Sequence, residues 1–222
     1  GDIAKWGKQE KILKQVLRTA LKKQGTSLSW DSFAKEAEIK SHATVSSYIE
    51  DLEKLYVLFV QYHLDLTKKI PDFNKNKKIS FFDPFIYHLF NRLFYFRDHE
   101  INPSLVEAVS VIHFTRHFKD LCSGPGRSFS DFVFYHKNRR EADIVVKTWK
   151  GGEKEKKREK EEKEERKEEL FALEVKYQNK IIKDDRKSLL PFGKGVIISK
   201  DTLKQDEKYP VIPVHMLLAS IE

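Results

Sequence analysis

The sequence predicts a mixed α/β (α+β) chain: a winged helix-turn-helix over residues 1–100, then an α-β-β-β-α-β unit with a mixed sheet over 101–222, carrying a charged insertion at 150–169. Three observations predict this. Three helical patterns in succession are followed by two apolar, β-prone segments. Beyond Asn102-Pro103-Ser104 the order becomes helix, three strands, helix, strand. With 222 residues, 40% hydrophobic, the chain is large enough to bury a core.

In residues 8–24, Ile12, Val16, Leu17, Ala20 and Leu21 recur at helical spacing, and Gly25 ends the helix. Ser29 is the expected N-cap of a short helix WDSFAKEAE, and Ser41 of a third, HATVSSYIEDLEKL. Val45, Tyr48, Ile49, Leu52 and Leu55 form the inner face of that third helix. YVLFVQYHL and KKISFFD then read as two strands around a Lys-rich loop, TKKIPDFNKNKK. Three helices and a hairpin make a winged-helix pattern, whose third helix would meet DNA through Ser41, His42 and Thr44 while Lys77 and Lys78 sit by the wing. The same pattern also serves as a packing module, since fold does not dictate function.

Asp83-Pro84 opens the next helix, with Asp as N-cap and Pro in the first turn. A helix is expected over about 105–121, then a Gly-Pro-Gly turn. FSDFVFY and EADIVVKTW are strands joined by the basic turn HKNRR. The run EKEKKREKEEKEERKEE is polar all round and cannot join a core. Glu153–Lys157, Glu159–Lys163 and Glu162–Arg166 are spaced to support a solvated helix, and a disordered loop is the other reading. LFALEVKY is a third strand, DDRKSLLPF a short helix, GVIISK a buried strand, and VIPV leads into a terminal helix.

Composition narrows the chemistry. The single Cys122 excludes an internal disulfide and a Cys-based zinc site. No signal peptide is evident, and the most apolar stretch, FFDPFIYHLFNRLFYF, is broken by Asp83, Pro84, His88, Asn91 and Arg92. It reads as core, so no membrane partner is expected and the expected setting is cytoplasmic. Net charge is +8 although the run is nearly balanced, which places the basic excess elsewhere. That surplus suits a polyanion such as DNA, or solubility alone. His113 and His117 stand four apart on a helix but lack a third ligand in register.

Two strands carry charges where apolar residues are expected. Phe171, Leu173, Val175 and Tyr177 alternate with Ala172, Glu174 and Lys176. In EADIVV, Ala142, Ile144 and Val146 alternate with Glu141, Asp143 and Val145. If the strands are neighbours, Asp143 stands beside Glu174 and Lys176. Two carboxylates can hold one Mg²⁺, and the ammonium can orient an attacking water or stabilise charge on a phosphate. Glu107, on the preceding helix, can supply a third carboxylate. The plain alternative is a Glu174–Lys176 salt bridge at a sheet edge.

From about residue 104 onward the pattern resembles the PD-(D/E)xK nuclease superfamily, with its restriction-endonuclease-like fold. Asp143 matches the acidic position, Glu174-Val175-Lys176 the E-x-K, and Glu107 in LVEA the helix carboxylate; Ala142 replaces the proline before the aspartate. The stretches GDIAKWGK, LSWDSFAKEAEIKSHATVSSYIEDLEKLYVL, KKISFFDPFIYH, LVEA, EADIVV and LEVKY together resemble the C-terminal region of archaeal and bacterial P-loop (AAA-type) ATPases. No G-x-x-x-x-G-K-[ST] occurs here, so the motor module is absent from this sequence. The resemblance implies a DNA nuclease using Mg²⁺ or Mn²⁺, with Asp143, Glu174 and Glu107 as ligands and Lys176 serving the chemical step. Lys137, Arg139 and Arg140 would hold phosphates. An inert docking module for an ATPase or another DNA-processing protein, and a winged-helix regulator, are the rival readings.

Overall fold

In the computed structural model, residues 7–96, 101–118, 129–149, 168–205 and 207–220 are described. Cys122, the Gly-Pro-Gly turn and most of the charged run lie outside them. The protein is mixed α/β with a mixed sheet. It divides into two compact units, residues 1–63 with 72–109, and residues 64–71 with 110–222. The sequence alone suggests one junction near residue 100. The observed division instead falls between Val109 and Ser110 and assigns the tip of a hairpin to the second unit.

The first unit begins with α1 (Glu10–Lys22), β1 (Ser27–Leu28), α2 (Trp30–Glu36) and α3 (His42–Lys54). The expected caps are present: Ser29 Oγ accepts from Ser32 N at 3.0 Å, and Ser41 Oγ from Thr44 N at 3.4 Å. Gly25, at φ +69°, turns the chain after α1 in a conformation that a side chain would strain. Strands β2 (Leu58–Asp65) and β3 (Ile70–Phe81) are neighbours, and β3 pairs antiparallel with β1. Most of the expected Lys-rich loop is therefore strand. The turn shrinks to residues 66–69, where Asp65 Oδ1 accepts from Thr67 N at 2.8 Å and Lys68 N at 3.1 Å. Helix α4 (Pro84–Tyr95) starts on Asp83, whose Oδ1 accepts from Phe85 N at 2.7 Å. Val16, Ala20, Phe33, Val45, Ile49 and Phe81 form the centre of this unit's core.

Helix α5 (Pro103–Phe118) contributes residues to both units. In the second unit the strand order is β4 (Val133–Lys137), β5 (Glu141–Trp149), β6 (Glu168–Lys176), β7 (Gly195–Ser199), β8 (Val211–Pro213). The first two pairings are antiparallel and the last two parallel. Such a centre is buried on both faces, which explains its Val, Ile and Leu content. The segment read as one helix, DDRKSLLPF, instead forms two 3-10 turns, Lys183–Ser188 and Leu190–Phe192. Asp185 closes the first by accepting from Ile182 N at 2.8 Å, and Pro191 supplies no N–H to extend it. The chain continues into α6 (Val214–Ser220). No described helix is long and apolar enough to cross a membrane.

Candidate functional site

The chemistry-bearing residues meet where β5 and β6 part. Their antiparallel register runs from Trp149↔Glu168 to Ile144↔Leu173. Carried one residue further, it sets Asp143 opposite Glu174. There the side chain takes over from the ladder, as Asp143 Oδ2 accepts from Val175 N at 2.8 Å. On the other side of β6, Ala172 pairs with Gly195 and Glu174 with Ile197. A Cβ on Gly195 would lie 2.4 Å from Ala172 O, so glycine permits the approach that walls the site.

Asp143, Glu174 and Lys176 line a cavity of about 290 Å³, with Arg140 and Glu141 from β5 and its turn, and Asp184, Asp185 and Ser188 from the first 3-10 turn. Glu174 is only 4% exposed and Asp143 9%. One Glu174 oxygen, Oε1, holds the Lys176 ammonium, whereas Oε2 is buried without a hydrogen-bond partner. Burial pushes the Glu174 carboxyl up to about 7; the Asp143 charge adds to this, and Lys176 and the Ser188 hydroxyl oppose it. Burial would lower Lys176, but Glu174, Asp143 and Asp185 together hold it raised, so it stays an ammonium at neutral pH. At the rim, Asp184 takes ion pairs from Lys187 and Arg140, which hold its carboxyl below the usual range.

A buried carboxylate oxygen without a donor, beside a second carboxylate, fits a hard divalent cation. Among the described residues no group of three or more His, Cys, Asp or Glu gathers around one point. Two carboxylates alone could serve only a cation that keeps several of its waters.

The other expected site residues are dispersed. Glu107 belongs to the first unit, where its Oε1 accepts from Lys78 Nζ at 2.7 Å, and it does not line the cavity. Lys77 and Lys78, expected beside a wing to bind phosphates, are 4% and 1% exposed, which corrects that expectation. Lys77 Nζ donates to Phe73 O at 2.7 Å and stands 5.3 Å from the Trp30 ring centroid. From Lys77 to Phe81 every residue of β3 is buried, so these adjacent lysines, on opposite faces of the strand, are both enclosed; a segment read as a loop gives no sign of this. Lys137 pairs with Glu141 at 3.0 Å, Arg139 is exposed at the β4–β5 turn, and Arg140 reaches Asp184. Ser41 spends its hydroxyl on the α3 cap, His42 Nδ1 lies 3.1 Å from Asp31 Oδ1, and Thr44 is half-buried.

Sequence reasoning did not include Asp184, Asp185 or Ser188 in the site. Two acids opening a short helical segment read as ordinary N-terminal charges. Comparisons with protein-family models, curated proteins and solved structures returned no match for this chain.

Proposed function

We propose that the chain is a DNA nuclease dependent on Mg²⁺ or Mn²⁺, with a winged-helix module followed by a PD-(D/E)xK-like domain. One observation carries the reading: Glu174 Oε2 is buried and unpartnered beside Asp143 and Lys176 in an open cavity. A carboxylate buried without a donor on one oxygen, beside a second carboxylate, supports a cation site there. Asp143 and Glu174 would hold the ion, which when bound would supply Lewis-acid polarisation of a phosphodiester and a more acidic water. Lys176 keeps its proton, orients that water and offsets charge on the phosphate. Arg140 and exposed Arg139 hold flanking phosphates. Glu107 is engaged by Lys78 within the first unit.

A second reading, a catalytically inert DNA- or protein-docking module, is favoured by one feature. Asp143 Oδ2 and Glu174 Oε1 are already engaged by Val175 N and Lys176. One experiment separates the two. Plasmid and oligonucleotide DNA are incubated with Mg²⁺ or Mn²⁺, and melting is followed in the same buffers. At ten times its Kd, a metal stabilises by about 1.4 kcal/mol, or roughly 3–5 °C for a chain of this size. The expected result is cleavage plus this shift, both lost in Asp143→Asn. Lys176→Ala retains the shift and loses cleavage. Neither cleavage nor shift in the parent chain establishes the docking reading.

A further inference from the structure

Helix α4 is apolar on two opposite faces. Tyr87 and Asn91 are buried, and Ile86, Phe90 and Phe94 pack against the first unit's core. On the other side Phe85, Leu89, Leu93 and Phe96 are 71%, 50%, 60% and 90% exposed. At 3.6 residues per turn Phe85, Leu89 and Leu93 fall within an arc of about 80°, and Phe96 follows them as the C-cap. A helix that is apolar all round is ordinarily covered on both sides. Phe96 adds an independent sign. It is the C-cap at φ 53°, a left-handed conformation that suits Gly or Asn and strains a bulky residue. A phenylalanine there costs folding energy and buries almost nothing within the chain.

From this geometry we propose that the α4 face is the interface of a symmetric dimer with a second copy of this chain, the two helices antiparallel across Leu89. In that register Leu89 meets its own counterpart on the two-fold axis. Phe85 of each copy meets Leu93 of the other, and Phe96 meets Phe82, which is already stacked edge-on against Tyr56 at 5.4 Å. Every large exposed side chain of the stripe thus finds an apolar partner, as an isologous contact requires. The charges agree with this orientation. Arg92, exposed on the flank of the stripe, comes within one turn of the N-capping Asp83 of the second copy, and the helix dipoles oppose. A parallel pairing would set Arg92 against Arg92.

The four side chains offer about 600 Å² per copy, so the pair buries about 1,200 Å², the lower end of the range for specific dimers. An interface of this size is expected to give concentration-dependent association, seen as a mass that doubles. The test is sedimentation equilibrium of the full chain from about 1 µM to a few hundred µM. A dimer at the upper end is expected. Leu89→Glu, which places two carboxylates on the axis, is expected to remain monomeric, as is Leu89→Lys. An equimolar mixture of the two is expected to recover the dimer, an outcome specific to self-contact at Leu89. Phe96→Asn, compatible with the left-handed cap, should raise the dimer Kd at least tenfold while leaving the melt unchanged or improved; this keeps the test valid if Leu89 variants misfold. A monomeric parent chain at the highest concentration, or a Leu89→Glu chain as dimeric as the parent, overturns the proposal. So does a monomer that co-sediments with phosphatidylcholine vesicles through the same stripe, which would assign the face to lipid.

Discussion

Neutralising Glu107 separates the two roles open to it, because the structural role predicts a large loss of stability and no loss of metal binding. Lys78 is 1% exposed and its ammonium lies 2.7 Å from Glu107 Oε1, with 14% of the Glu107 side chain accessible. Substituting Glu107→Gln leaves an ammonium enclosed beside a neutral amide. Breaking one half of a buried ion pair costs about 3–5 kcal/mol, far more than the net worth of the pair, because the surviving charge stays desolvated after losing its counter-ion. For a chain of this length each kcal/mol lowers Tm by roughly 2–4 °C, so Glu107→Gln should melt about 6–20 °C below the parent. The double substitution Glu107→Leu with Lys78→Met removes both charges together and should recover most of the loss. The assay is urea unfolding of the parent, both single variants and the double variant as a cycle, with Mn²⁺ titration of each folded form. If Glu107→Gln unfolds like the parent but loses metal affinity, the carboxylate is a ligand and the assignment to packing is wrong.

Two further outcomes follow from the geometry. Burial lifts the Glu53 carboxyl to about 7, with Val60 N opposing it from 3.0 Å and Glu50 adding to it. The folded state therefore holds this proton more tightly than the unfolded one, so its contribution to stability is present at acid pH and lost as pH rises from about 4.5 to about 7, by at most roughly 3 kcal/mol. Glu53→Gln keeps the acceptor and abolishes the titration, so its stability advantage over the parent should grow between pH 5 and 8 in urea melts; a constant difference refutes this. Residues 150–167 connect the paired ends Trp149 and Glu168. Replacing them with Asn-Gly, which suits a two-residue hairpin, should leave Tm within a few degrees. A fall of ten degrees or more would mean that the run packs on the core.

The sequence by itself determined what depends on neighbours a few residues away. Ser29, Ser41 and Asp83 are legible as caps because a hydroxyl or carboxylate accepts from an N–H two or three residues ahead. The period of two along β5 and β6 placed Asp143 on one face of its strand, and Glu174 and Lys176 on one face of theirs, without any knowledge of the partner strand. Tertiary structure decided the rest. Lys78 and Glu107 are 29 positions apart, and only packing makes one the other's counter-ion rather than a phosphate contact and a metal ligand. Asp184, Asp185 and Ser188 enter the cavity because the 3-10 turn Lys183–Ser188 follows the end of β6. Desolvation is likewise collective. Glu174 carries an ordinary carboxyl, and only the strands around it raise its affinity for a proton and leave one oxygen without a hydrogen-bond donor.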